Sequence, residues 1–338
     1  AARSRTGPFF FPAVAITIPL VLVFCHSALT PLYEWDAFAI WDLKAKVLYH
    51  EGLGSGYFRS LPLSYSHLDY PLLLPFLSCG LYAAAGGTCA VAAKALCFIL
   101  FAAFFLFIYS SLREIAGRHA VLLLAAAFFT VPELVRWAGA GTADFPLVVY
   151  MSCTLLPLAS YLRDGRPGDL ALAAVSANFA AFTKNEGAAF ALIVVLAVMA
   201  IRLFARSGRP MRHVIAFAAL VGLLMLPWII FSSGIPKVHE NYGARLLDLS
   251  AMADRLPMLK DVMLVFGVNL LIPTKWGAFW VLALVAAVLG RGCFMEAHVR
   301  AVCCILALQL CLYILVFTVS PRPLEYLSMM TLDRVMMH

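Results

Sequence analysis

The chain has 338 residues, 63% of them hydrophobic and 13% charged, with a formal net charge of +7 and a mean hydropathy of +0.92. So apolar a composition excludes an ordinary soluble domain and reads as a polytopic membrane protein. The basic excess does not mark a nucleic-acid binder, because Arg and Lys gather in short segments between apolar runs, as cytoplasmic loops do.

In chain order, the first apolar run lies near 9–30. Arg3 and Arg5 precede it and no small-residue cleavage site follows, so a retained membrane helix is expected rather than a signal peptide. Crossing the hydrocarbon takes roughly 20 apolar residues, in a helix that satisfies its own backbone. Further runs of that kind fall near 88–111, 119–138, 144–162, 170–184, 187–205, 212–232, 268–290 and 300–319. The expected fold class is therefore all-α and polytopic, with about nine transmembrane helices in a single domain over 1–338. The loops SLREIAGRH, YLRDGRPGD, RLFARSGRPMRH and GRGCFMEAHVR then share one side with the N-terminus, and their basic charge makes that side cytoplasmic. Segment 70–86 is apolar but short and interrupted by Pro71, Pro75 and Gly80; a re-entrant or interfacial helix on the outer side keeps the charge pattern intact. The first outer loop is thus 31–86, with further outer segments at 233–265 and 320–338. The sequence does not begin with Met, which leaves open that it is part of a longer chain. Its nine cysteines follow no metal-ligand spacing, and only Cys79 and Cys89 leave room for a disulfide.

The ionisable groups gather on the outer side. The stretch PLYEWDAFAIWDLKAKVLYHEG has apolar residues at helical spacing, and it predicts an amphipathic helix in the interface. Trp35 and Trp41 would anchor it, with Asp42, Lys44 and Lys46 on its solvated face. Asp36, beside Glu34, sits at the junction of span and interfacial helix, where a carboxylate can be aimed back at the membrane surface. Asp144, in GAGTADFPLVVYM, opens a span; it is either a site group or a favourable dipole partner or cap. In FTKNEG, Lys184, Asn185 and Glu186 turn at membrane depth, where ionisable residues are costly and functional by default; the plain alternative is a Lys184–Glu186 staple. His67 precedes the re-entrant segment, where SHLDYP reads equally as helix-start chemistry. His239 is a ligand, a base or merely exposed. Arg334, in TLDR, suits phosphate through its fork and equally suits a snorkelling anchor. No HExxH, CxxC or P-loop pattern supports a transition-metal or nucleotide-hydrolysing site.

Taken together, EWDAFAIWDLKAKVLYHEG, LDYPLLLPFL, GTADFPLVVYM, FTKNEG and TLDR resemble the GT-C superfamily of integral-membrane glycosyltransferases. That group holds the protein O-mannosyltransferases, the aminoarabinose transferases of lipid A and the glycosyltransferase-39-like proteins. One departure is that Ala37 follows Asp36 where protein mannosyltransferases typically show an Asp-Glu pair, the acid being displaced to Glu34. The resemblance implies an inverting transfer at the outer face, with Asp36 as general base and Asp144 as a second acidic group. The donor would be a polyprenyl-phosphate-linked sugar entering from the bilayer, and the acceptor a glycan, lipid or protein. Lys184 and Arg334 are the cations available to the leaving phosphate, with Glu34, Asn185, Glu186, His67 and His239 lining the site. No cofactor is expected, and no acidic cluster is tight enough to require a divalent metal. Membrane lipids, not nucleic acid, are the surroundings, in a bacterial inner membrane with the N-terminus in the cytoplasm. The competing readings are an inactive scaffold or complex subunit, and a transporter or flippase; the second is disfavoured because the polar groups gather on one face.

Overall fold

The apolar runs become helices whose ends carry the charges. The computed structural model describes residues 7–204, 210–236 and 242–338. Helix α1 (Gly7–Leu29) leads through the loop holding Glu34 and Asp36 into a π-helical turn, Ala37–Asp42, which continues as α2 (Leu43–His50). Two 3-10 turns precede α3 (Leu73–Ala85), followed by α4 (Ala90–Ala116), α5 (Arg118–Phe129), α6 (Pro132–Ala138), α7 (Asp144–Asp164), α8 (Pro167–Thr183), α9 (Asn185–Phe204) and α10 (Met211–Ser232). Beyond these come α11 (Tyr242–Leu247), α12 (Leu249–Arg255), α13 (Leu259–Leu270), α14 (Pro273–Trp276), α15 (Phe279–Leu289), α16 (Ala297–Val319), α17 (Leu324–Met330) and α18 (Leu332–Met337). No strand occurs among the described residues, and the all-α polytopic membrane fold stands.

Five helices among the described residues are long and apolar enough to cross a bilayer: α7, α9, α10, α16 and the Ala90–Arg113 part of α4. Helices α5 and α6, bent by 73° at their break, make a sixth if taken as one span. Of the other expected spans, the run at 9–30 counts only over Ala13–Leu29, a shorter apolar helix, and two more look different here. The run at 170–184 is the 17-residue α8, and the run at 268–290 is divided among α13, α14 and α15. Pro273 at the start of α14 has no N–H to continue a helix, and Gly277 ends it with φ +56. Helix α3, with 13 residues, rises only about 20 Å, short of the ~30 Å hydrocarbon core.

Helix α7 is the centre: 61% of its apolar window is buried, against 28–33% for the other four spans. Leu147, Met151 and Leu158 pack with α8, α9 and α10, while Phe145, Val148 and Val149 pack with α1, α4 and α5. Between helices in lipid there is little hydrophobic drive, so close approach of small residues does much of the work. Helix α8 buries Ala173, Ala174, Ala177, Ala180 and Ala181, and a Cβ on Gly187 of α9 would lie 1.9 Å from the Ala180 carbonyl oxygen.

Two expectations need correction. Asp42 and Lys44 are buried rather than solvated. Asp42 accepts a short hydrogen bond from the Tyr82 hydroxyl and pairs with Lys46 at 2.7 Å; Lys44 donates to the carbonyls of His67 at 2.5 Å and Tyr70 at 3.3 Å. Trp41 is likewise buried and stacks on Tyr70, while Trp35 is exposed. The amphipathic pattern is real, but α3 and the 55–70 loop cover the face that the sequence assigned to water. Cys79 and Cys89 are free thiols.

Candidate active site

Four segments far apart in sequence converge at the N-terminus of α7. Asp144 is the first residue of that helix, buried, with no side-chain capping bond there. Its carboxylate turns to partners instead. Oδ1 accepts from Lys184 Nζ at 2.9 Å and lies 3.8 Å from His338 Nε2, while Oδ2 lies 3.7 Å from Arg334. Lys184 holds this place because it is the one extended residue between α8 and α9; its ammonium also meets Glu186 at 3.2 Å. Arg334, on α18, reaches back to Asp36 with a short charge-assisted hydrogen bond, and its guanidinium lies 5.4 Å from the Trp137 ring. Burial alone would lower the basicity of Arg334, but Asp144 and Asp36 outweigh it and push its pKa up. Burial pushes His338 down to about 4, so at neutral pH it is an uncharged neighbour of Asp144, with Nδ1 3.3 Å from the Tyr313 hydroxyl.

A pocket of about 120 Å³ opens beside this cluster, lined by Glu34, Trp35, Asp36, Arg136, Trp137 and Thr142, with Met329, Met330, Asp333 and Arg334 from the C-terminal helices. Arg136 pairs loosely with Glu34 at 3.5 Å and Glu133 at 3.7 Å. Of the expected site residues, Asp36, Glu34 and Arg334 line the pocket. Asp144 and Lys184 stand buried behind it with the partly exposed Glu186 beside them, and Asn185 begins α9. In FTKNEG, Lys184 and Glu186 are paired as the staple reading expects, and Lys184 also pairs with Asp144. His67 lies off the pocket, its carbonyl taken by Lys44 and its ring stacked on Tyr70 at 4.5 Å. His239 lies outside the described residues.

Sequence reasoning passed over Lys94, a fully buried lysine in the middle of an apolar run. Its ammonium donates to the His26 carbonyl at 2.8 Å, the Thr30 hydroxyl at 2.6 Å and the Thr30 carbonyl at 3.1 Å. It thereby closes the C-terminus of α1 and fixes where the loop to Asp36 begins. The signal was present, since a lone charge inside a span is costly enough to need a task. The turn before Asp144 packs on the same place: Gly141, at φ +82, would put a Cβ 2.7 Å from Leu32 and 3.7 Å from Ala37. No group of three or more potential metal ligands occurs among the described residues.

These features define a helical integral membrane protein with a charged, partly enclosed centre where several helices end. Residues 69–231 match the family model described as dolichyl-phosphate-mannose-protein mannosyltransferase. The match covers just under half of the chain, includes Asp144, Lys184, Asn185 and Glu186, and supports the resemblance to membrane glycosyltransferases of GT-C type. No curated protein and no solved structure matches the chain.

Proposed function

We propose that the chain transfers a sugar from a polyprenyl-phosphate-linked donor to an acceptor hydroxyl, with Asp36 as general base and inversion in a single displacement. The observation that carries this reading is that Asp36, Arg334 and Arg136 line one pocket, so that the proposed base and two cations face the same space, on a membrane protein whose family match is to mannosyltransferases. Asp36 takes the acceptor proton as the oxygen attacks the anomeric carbon. The bond from that carbon to the phosphate oxygen breaks, and the lipid phosphate leaves with the electron pair. Arg334 and Arg136 are placed to stabilise the charge that develops there. Lys184, buried off the pocket lining and paired with Asp144 and Glu186, instead holds Asp144, which in turn helps orient the guanidinium of Arg334. Setting a bilayer-borne donor against an acceptor from water supplies much of the remaining acceleration.

The helix order supports an outer-face site. The pocket cluster occupies the N-terminus of α7, the C-terminus of α8 and the N-terminus of α9, whereas Arg163, Arg166, Arg202 and Arg212 sit at the opposite ends of α7 to α10. A basic end reads as cytoplasmic, which supports a site on the outer side, of the inner membrane if the source is bacterial.

The test is release of radiolabelled sugar from a panel of polyprenyl-phosphate donors by the purified protein in lipid, beside Asp36→Asn. Release that depends on Asp36 and persists in chelator is expected. Release indifferent to Asp36, or none from any donor by folded protein, overturns the proposal and favours a scaffold.

A further inference from the structure

The pocket beside Asp36 carries more recognition chemistry than a base and a phosphate clamp require. Thr142, in the turn ahead of Asp144, is fully buried where it lines the pocket, and its Oγ1 has no hydrogen-bond partner among the described residues. A buried hydroxyl without a partner is destabilising unless a ligand or water completes it.

Asp333 lines the same pocket and is held rigidly from behind. Its Oδ1 accepts from Asn269 Nδ2 at 2.7 Å and from Lys275 Nζ at 2.6 Å. Trp276 Nε1 donates to Asn269 Oδ1 at 3.1 Å, which fixes the amide so that its NH₂ faces Asp333. Both donors fall on Oδ1, and Oδ2 takes no hydrogen bond among the described residues. An oriented carboxylate oxygen accepts hydroxyl protons, and a threonine hydroxyl accepts or donates. The indoles of Trp35 and Trp137 supply apolar faces with a polar edge. Carboxylate, hydroxyl and indole together complement a ring bearing several hydroxyls, while Arg334 and Arg136 on the same lining remain for the phosphate.

We propose that Asp333 and Thr142 form a hydroxyl-reading subsite that selects the sugar ring carried by the donor. This rests on the glycosyltransferase reading for the identity of the ligand, but binding and turnover test the two separately. A site built to pair a hydroxyl discriminates strongly against the analogue lacking it.

The experiment measures binding of polyprenyl-phosphate hexoses and their mono-deoxy analogues to the full chain in nanodiscs, for wild type, Asp333→Asn, Thr142→Val and Thr142→Ser. Wild type is expected to prefer the complete sugar by at least about tenfold at one or more positions. Thr142→Val and Asp333→Asn should each bring the ratio at one position close to one while leaving the other positions discriminated, and Thr142→Ser should keep it. Ratios unchanged in both variants, or affinity lost equally for every analogue, overturn the subsite, as does the absence of binding by any donor. Donors that bind selectively but are never cleaved would sink the transferase reading and leave the subsite standing.

Discussion

Arg334 and Asp36 stand 298 positions apart in the chain and share a hydrogen-bonded ion pair at the pocket. The same guanidinium reaches Asp144 at 3.7 Å, so one side chain ties the first loop, the central helix and the C-terminal helix together. Lysine keeps the charge but lacks the fork needed to serve two carboxylates. Arg334→Lys should lower the rate of sugar release by roughly 10–100-fold, and Arg334→Gln by roughly 100–1,000-fold, the range for removing a stabilising donor. Asp36→Asn, which removes the base, should cost roughly 100–10,000-fold. Initial rates of radiolabel release decide this; Arg334→Lys at full rate would mean that charge alone suffices.

Behind the pocket, Lys184 serves both Asp144 and Glu186, and this asymmetry sets an order. Asp144→Asn leaves the buried ammonium with Glu186, whereas Lys184→Met leaves two carboxylates short of their cation. Breaking a buried pair costs about 3–5 kcal/mol, so Lys184→Met should be the more destabilising, and Asp144→Asn combined with Lys184→Met should recover part of the loss. Thermal unfolding of the four proteins in one detergent checks the order, and strict additivity would show that the pair is not coupled.

Much of this was legible in the sequence, because charges are rare in so apolar a chain and each demands a partner. Asp36, Asp144, Lys184 and Arg334 were singled out from separate stretches, and they converge. The sequence could not say which charges face water. Helical spacing put Lys44 and Asp42 on the polar face of an amphipathic helix, and only the chain folding over it, with Tyr82 and the carbonyls of His67 and Tyr70, turns that face inward. Pro273 and Gly277 carry breaking signals that an apolar window averages away, which is why 268–290 read as one span.

Gly187 allows α9 to start against α8. An added Cβ would meet the Ala180 carbonyl at 1.9 Å and Leu147 at 2.9 Å, and backbone cannot step aside as a side chain can. Gly187→Ala should destabilise by about 1–3 kcal/mol, as overpacking does, and should disturb Lys184 with it. Gly222→Ala, where nothing lies within 4 Å, should be neutral or stabilising because alanine is the better helix former. Unfolding midpoints of the two variants side by side provide the comparison; equal midpoints would mean the helices separate at no cost.

Lys44 gives the protein a pH dependence with a definite sign. Burial drives its pKa from an ordinary 10.5 down to about 7, with Asp69 opposing, and a neutral amine still has two N–H groups for the carbonyls of His67 and Tyr70. Between about 7 and 10.5 the unfolded chain binds a proton here that the folded chain does not. Stability from this group therefore rises with pH through that window and is lost as pH falls to about 7, below which both states are protonated and the dependence flattens. Wild type should unfold at a higher temperature at pH 9 than at pH 7, and Lys44→Met, which keeps the stem and removes the titration, should flatten that difference. Tryptophan fluorescence in buffered detergent at the two pH values reads both slopes. If Lys44→Met retained the wild-type slope, the dependence would belong to another group, and Lys44 would be an ordinary charged ammonium in the fold.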